Sequence, residues 1–179
     1  MILLHHCCVV CTPKVLEILR QEFKEVTGLW YNPNIMPEEE YFKRLNALKV
    51  YSEEQGHYLI IEDDSVEDWW MENVKKIEEE GKDRCEFCYY IRLKRTARKT
   101  KEMGFKKFTT TLLSSHHQKH NLIREMGELT AEEDGVEFYY KDFRPFFYEG
   151  KNAVYIRGLY IQKYCGCVFS MVTHRCLRK

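Results

Sequence analysis

Short apolar runs alternate with longer segments of helical period along almost the whole of this 179-residue chain, and that alternation limits the architectures open to it. Ile2-Leu3-Leu4 reads as a buried strand. Thr12-Pro13 follows as a helix start, a capping hydroxyl ahead of a proline at the first helical position. Val15, Leu16, Ile18, Leu19, Phe23 and Val26 keep helical spacing, and Gly28 is expected to stop that helix. Leu29-Trp30-Tyr31 is the next strand, closed by the turn Asn32-Pro33-Asn34. Pro37 with Glu38, Glu39 and Glu40 opens a second helix, acids standing where the dipole favours them, and Gly56 ends it. A strand over 57–61, a helix running to about residue 81, a long helix over 85–103 and a β-rich segment over 105–112 come next. A helix over 118–134, a strand over 136–139 and a helix near 152–163 complete the pattern. Such alternation predicts one α/β domain over residues 1–179, a mostly parallel sheet with flanking helices. With 44% hydrophobic residues the chain can build its core without disulfide staples.

Against this background the cysteines stand out. Seven of the eight fall into three clusters, Cys7-Cys8-x-x-Cys11, Cys85-x-x-Cys88 and Cys165-Gly166-Cys167, with Cys176 alone and read as incidental. A free cysteine is ordinarily a small buried hydrophobe, which gives no reason for such spacing. Ligands of parallel sheets bind beyond the carboxyl ends of the strands. Cys7 and Cys8 sit there, where a nucleotide-binding fold has its phosphate loop, yet no glycine-rich loop is present. Cys85-x-x-Cys88 opens a helix whose N-terminus favours thiolate charge. A pair plus a CxxC offers four sulfurs, suited to zinc or to an iron–sulfur cluster, and the bare CC dipeptide makes a poor zinc knuckle. The CxC spacing admits a small, labile disulfide or two further ligands. Cys11, one helical turn on, is a spare ligand or a core residue. Of His5 and His6, one faces the sheet edge and the other can approach a metal. His116, His117 and His120 put two imidazoles at i, i+3, a spacing that can bind a metal but here reads as surface or substrate contacts, and Asp142 with Arg144 as crevice-facing charges or a loop-stabilising ion pair.

Charge is balanced overall and uneven along the chain. Residues 1–90 carry 10 Lys and Arg against 19 Asp and Glu, and residues 91–179 carry 18 against 9. The densest basic stretch includes Arg92, Arg95, Arg98 and Lys99, read either as a surface facing a polyanion or as a solvated helix face. The opening residues carry no basic leader, and no apolar stretch reaches membrane-spanning length. The expectation is a cytoplasmic protein with no membrane contact, a setting in which cysteine clusters more often bind metal or do redox work than staple a fold.

At these residues the sequence resembles the QueH family of epoxyqueuosine reductases, over nearly its whole length. The resemblance is carried by Leu4-His5-His6-Cys7-Cys8-x-x-Cys11, Arg84-Cys85-x-x-Cys88-Tyr89-x-Ile91-Arg92-Leu93 and Gly104-Phe105-x-x-Phe108-Thr109-Thr110-Thr111-Leu112-Leu113. It continues through Asp142-Phe143-Arg144-Pro145 and Gly158-Leu159-Tyr160-x-Gln162-x-Tyr164-Cys165-Gly166-Cys167. One departure is Val9-Val10, where a glycine- or alanine-proline pair is more usual; it touches the turn and not the sulfurs. The resemblance implies a HUP-type, Rossmann-like fold and cobalamin-independent reduction of epoxyqueuosine in tRNA to queuosine. It implies a [4Fe–4S] cluster on Cys7, Cys8, Cys85 and Cys88, a redox-active pair Cys165–Cys167, and an additional mononuclear iron for which Cys11 is a candidate ligand. The tRNA contacts would then fall on Arg92, Arg95, Arg98, Lys99 and Arg144, and the electron donor is not named by the sequence. Two competitors come from other classes: a zinc-stabilised RNA-binding module, and a cluster-free thiol oxidoreductase working through Cys165 and Cys167.

Overall fold

The structure, a computed structural model, describes residues 1–62 and 67–171; Cys176 lies outside them. The order of elements is β1 (Ile2–His5), α1 (Thr12–Glu22), β2 (Val26–Trp30), α2 (Glu38–Glu54), β3 (Leu59–Ile61), α3 (Glu67–Glu79) and α4 (Arg84–Glu102). β4 (Lys107–Thr110), α5 (His120–Asp134), β5 (Glu137–Phe138) and α6 (Phe147–Ile156) follow, with short 3₁₀ turns at Val9–Cys11, Thr111–Ser114 and Arg144–Phe146.

The five strands are all parallel in the order β3-β2-β1-β4-β5. β1 lies at the centre and is covered on both faces, so Ile2, Leu3 and Leu4 are all fully buried and the strand reads as an unbroken apolar run. α4 presents Tyr89, Leu93 and Ala97 at helical spacing to the main core, which Ile123 and Met126 of α5 share. Asp83 caps α4, its carboxylate accepting the Cys85 amide at 2.8 Å. Succession turns one way from β1 through β2 to β3 and the other way from β4 to β5. The switch point is the gap between β1 and β4, where a crevice must open beyond the strand ends. This is the α/β architecture that the alternation implied, Rossmann-like as the resemblance implied. Among the described residues no helix is long and apolar enough to cross a membrane.

Two boundaries differ from expectation. Gly28 does not stop α1, which ends at Glu22; it lies inside β2, paired with Leu4. A Cβ there would stand 2.7 Å from His57 Nε2 and 2.9 Å from His6 Nε2, so the glycine serves the close approach of two imidazoles. Val26 keeps the helical spacing of α1, yet it pairs with Ile2, the ladder taking what the periodicity had assigned to the helix. The last helix is α6, over Phe147–Ile156 rather than near 152–163, because the turn at Arg144–Phe146 feeds straight into it. Gly150 brings α6 within a Cβ distance of 3.2 Å of the Val10 carbonyl, so this helix presses on the turn that carries the first cysteines.

Candidate active site

At the switch point a cavity of about 670 Å³ opens, and all seven described cysteines line it. Three different parts of the chain bring them: the turn after β1, the start of α4, and the strap beyond α6.

The first group is the tightest. The sulfurs of Cys7, Cys8 and Cys11 lie within 4.8 Å of one another, and among the described residues they form the one group of three metal-capable side chains so close. Hydrogen bonds from the strand ends fix them. The Cys7 amide donates to Thr111 Oγ1 at 2.9 Å, and the Thr111 hydroxyl donates to Cys7 Sγ at 3.2 Å. Thr12 donates its hydroxyl to the Cys8 carbonyl at 2.9 Å. That leaves Thr12 Oγ1 to accept from His6 Nδ1 at 3.0 Å, so His6 Nε2 accepts from His57 Nε2 at 2.9 Å. These tautomers follow from the partners. His5 spans the sheet in the same way, its Nε2 donating to the Tyr31 carbonyl at 3.1 Å while Nδ1 meets the Thr110 hydroxyl at 2.8 Å. Burial holds both imidazoles neutral, His5 down at about 3 and His6 well below the usual range. The histidines next to the cysteines are therefore braces. Within the triad, hydrogen bonds from Cys11 and Cys7 lower the Cys8 thiol well below its ordinary value, and hydrogen bonds with Cys7 and then Cys8, with burial, raise Cys11.

Cys85 and Cys88 face the cavity from the first turns of α4, and burial pushes Cys88 up to about 12. One helical turn further, Arg92 is buried, with 2% of its surface exposed. Its Nη2 donates to Asn32 Oδ1 at 2.7 Å and its Nη1 reaches Cys88 Sγ at 3.7 Å. Asn32 in turn donates to the His6 carbonyl at 2.9 Å, tying the guanidinium to the turn of the triad. No carboxylate among the described residues pairs with Arg92. A buried cation without a carboxylate needs an anion nearby, and the surrounding sulfurs are the groups placed to supply it.

The strap carrying Cys165 and Cys167 crosses the mouth. Both are free thiols, so the disulfide that the CxC spacing admits is not formed in this structure. Arg44 of α2, buried and paired to Glu40 at 2.7 Å, donates to the Tyr164 and Cys165 carbonyls at 2.9 Å each. Met36 donates its amide to the Gly166 carbonyl at 2.9 Å. Two side-chain amides also touch sulfur: Gln162 donates to Cys8 at 2.8 Å and Gln118 to Cys165 at 3.1 Å.

The remaining expected contacts fall elsewhere. Arg95 pairs with Glu62 and Glu102, Lys99 with the same two acids at 3.1 and 3.6 Å, and Arg98 lies 4.0 Å from Asp134. Arg144 closes on Asp142 at 2.7 Å, and neither lines the cavity. His117 lines the mouth, whereas His120 bonds Tyr140 at 3.1 Å, so the two do not converge. Sequence reasoning missed Arg44 and Gln118 altogether. Gln162 had entered only through its place ahead of Cys165 in the last motif.

Clustered thiols, amide donors to sulfur and a buried cation with no carboxylate partner among the described residues fit a thiophilic metal centre, whose ligands are thiolates tuned by hydrogen bonds to sulfur. Fold and site together define a Rossmann-like α/β protein with a cysteine-lined site at its switch point. The chain matches the family model of epoxyqueuosine reductase QueH over residues 2–173 and belongs to that family. It is 36% identical over 169 residues to the epoxyqueuosine reductase QueH of Dehalococcoides mccartyi, covering 94% of this chain and 91% of that protein. To the protein of the same name from Thermotoga maritima it is 34% identical over 180 residues, covering 97% and 92%.

Proposed function

We propose that this protein reduces epoxyqueuosine in tRNA to queuosine in the cytoplasm, independently of cobalamin, with an iron–sulfur centre and the Cys165–Cys167 dithiol. Family membership along residues 2–173 supports the reaction and substrate. The observation that carries the chemistry is the convergence of seven cysteines from three chain segments on one cavity. A [4Fe–4S] cluster held by Cys7, Cys8, Cys85 and Cys88, with Cys11 beside it for a further iron, would supply one-electron transfer and Lewis acidity.

The protein's own groups account for the stoichiometry. Removing an epoxide oxygen as water, to leave an alkene, consumes two electrons and two protons. Cys165 and Cys167 hold both as thiols: two S–H bonds break, one S–S bond forms, and the hydrogens leave with the oxygen. An external two-electron reductant re-forms the dithiol. Gln118 keeps the Cys165 sulfur at the mouth, and Arg92 offsets negative charge gathered around Cys88. A cavity of about 670 Å³ accepts a single modified base and not a helix, so the base must be splayed from its loop to enter.

Anaerobic purification is the test. A brown protein with about five iron and four sulfide per chain, four iron for the cluster and one beside it, is expected, and a colourless protein holding only zinc would overturn the proposal. Cys85→Ala should lose colour and turnover together. Cys167→Ala should keep the colour and lose turnover; loss of iron there would place the CxC among the ligands instead.

A further inference from the structure

The basic stretch of α4 is where charge alone puts a polyanion, yet most of its cations are already occupied, with Arg98, 4.0 Å from Asp134, and Lys101 left exposed. Lys94 is bound by Glu133 and Asp134 at 2.7 and 2.9 Å, Arg95 and Lys99 share Glu62 and Glu102, and Arg92 is buried. The helix also leads away from the site. Arg98 lies thirteen residues beyond Cys85, about 20 Å along the axis.

The cavity mouth is different. Lys151 on α6 and Lys163 on the strap line it, are exposed, and have no acidic partner among the described residues. Lys119 lines the opposite side, at the start of α5, sharing Asp83. Among these cations stands Tyr148, 70% exposed, its ring stacked on His116 at 5.9 Å and 28°. A large aromatic left in solvent at a cavity rim, backed by a second ring and flanked by unpaired lysines, is what single-stranded RNA requires. Each base offers a face to stack and each nucleotide a phosphate to neutralise.

We propose that the RNA loop docks on this rim, its phosphates on Lys151 and Lys163 and a base neighbouring the reactive one stacked on Tyr148, and not on α4. The inference rests on the reaction proposed above for its substrate class, and its test separates the two. Binding of an unmodified anticodon stem-loop RNA is measured by fluorescence anisotropy over a salt series, apart from any turnover. The pair Lys151→Glu with Lys163→Glu should bind at least tenfold more weakly and lower the salt slope by about 1.4, the loss of two single-strand phosphate contacts. Tyr148→Ala should weaken binding about tenfold at unchanged salt slope. Arg98→Glu with Lys101→Glu carries the same change in net charge on α4 and should bind like the wild type. In turnover with modified tRNA, the rim variants should raise KM and keep kcat.

Equal losses from the rim and α4 pairs would mean that net charge alone acts, and would overturn the docking site, as would rim variants that bind normally. Melting temperature and iron content, unchanged in all three proteins, exclude misfolding as the cause. Should the rim variants lose RNA while the wild type reduces no epoxyqueuosine, the docking surface stands and the reaction falls.

Discussion

The two ends of the site hold their sulfurs in opposite ways. Cys7, Cys8 and Cys11 lie at the carboxyl end of the central strand, where Thr111 holds Cys7 and a chain through Thr12, His6 and His57 holds Cys8. Cys8 and Cys11 are buried. Cys165 and Cys167 belong to no helix or strand, and Cys165 is exposed. Their strap is fastened from outside, chiefly by a guanidinium on α2 and one amide of the loop before it. The function proposed above, in which the site holds a metal and exchanges electrons with reductants, would benefit from this division: metal affinity rewards preorganisation, while thiol–disulfide exchange needs access and a change of geometry.

Removing Arg44 is the largest way to break that contrast. Arg44→Met leaves Glu40 buried with only the Tyr160 hydroxyl at 2.5 Å, and frees two strap carbonyls at once. Losing one partner of a buried ion pair costs about 3–5 kcal/mol, to be read from the urea midpoint. Iodoacetamide labelling, followed by mass spectrometry, should show Cys165 and Cys167 reacting faster while Cys8 stays protected. Stability lost with labelling unchanged would show that Arg44 supports the core and does not hold the strap.

Arg92 ties the fixed half to the cysteines of α4 and not to the strap, and replacing it sharpens the comparison. It reaches Cys88 directly and the turn of the triad through Asn32. Arg92→Met withdraws the cation from the sulfurs without leaving a carboxylate unpaired. Iron affinity should fall about 10- to 100-fold, as for other partners of metal ligands, when the metal is competed away with a chelator. The reduction potential of whatever centre remains should become more negative, because an anionic state loses its counter-charge. A variant retaining both properties would make Arg92 a packing residue.

Much of this was legible in advance, for identifiable reasons. Ile2-Leu3-Leu4 followed by Cys7-Cys8 placed sulfur at the end of a buried strand, and all-parallel pairing put that end at the switch point. The expected helix over 85–103 matches α4 to within a residue at each end, although its Asp83 cap went unread. What stayed hidden depends on tertiary approach. Gly28 reads as a helix stop because nothing local reveals His6 and His57 on either side of it. Arg92 was grouped with surface cations because it sits in a basic run; its position at i+7 from Cys85 and i+4 from Cys88, on their face of α4, was the signal that it points inward. Arg44 had a similar clue in Glu40 at i−4, but an exposed pair has the same spacing as a buried one.

The smallest effect tests the rigid half alone. Burial holds His57 at about 4, against an ordinary value of 6.5. A lowered value means that the folded protein prefers the neutral ring, so this contribution is complete above pH 6.5 and is lost as pH falls toward 4. Below that the native state takes up the proton as well and the loss stops growing. By pH 5 this one group should cost about 2 kcal/mol relative to pH 8. His57→Gln keeps an amide able to donate to His6 and removes the titration. Urea unfolding at a series of pH values should therefore show a slope near pH 5 smaller by about one proton in the variant. His5 and His6 continue to contribute in both proteins. Protection of Cys8 from labelling should decline with stability over this range, whereas the strap, which has no part in the imidazole chain, should label at a rate set by its own thiols. Parallel decline at both ends would mean that the triad and the strap open together, and the division between a fixed and a movable half would not survive.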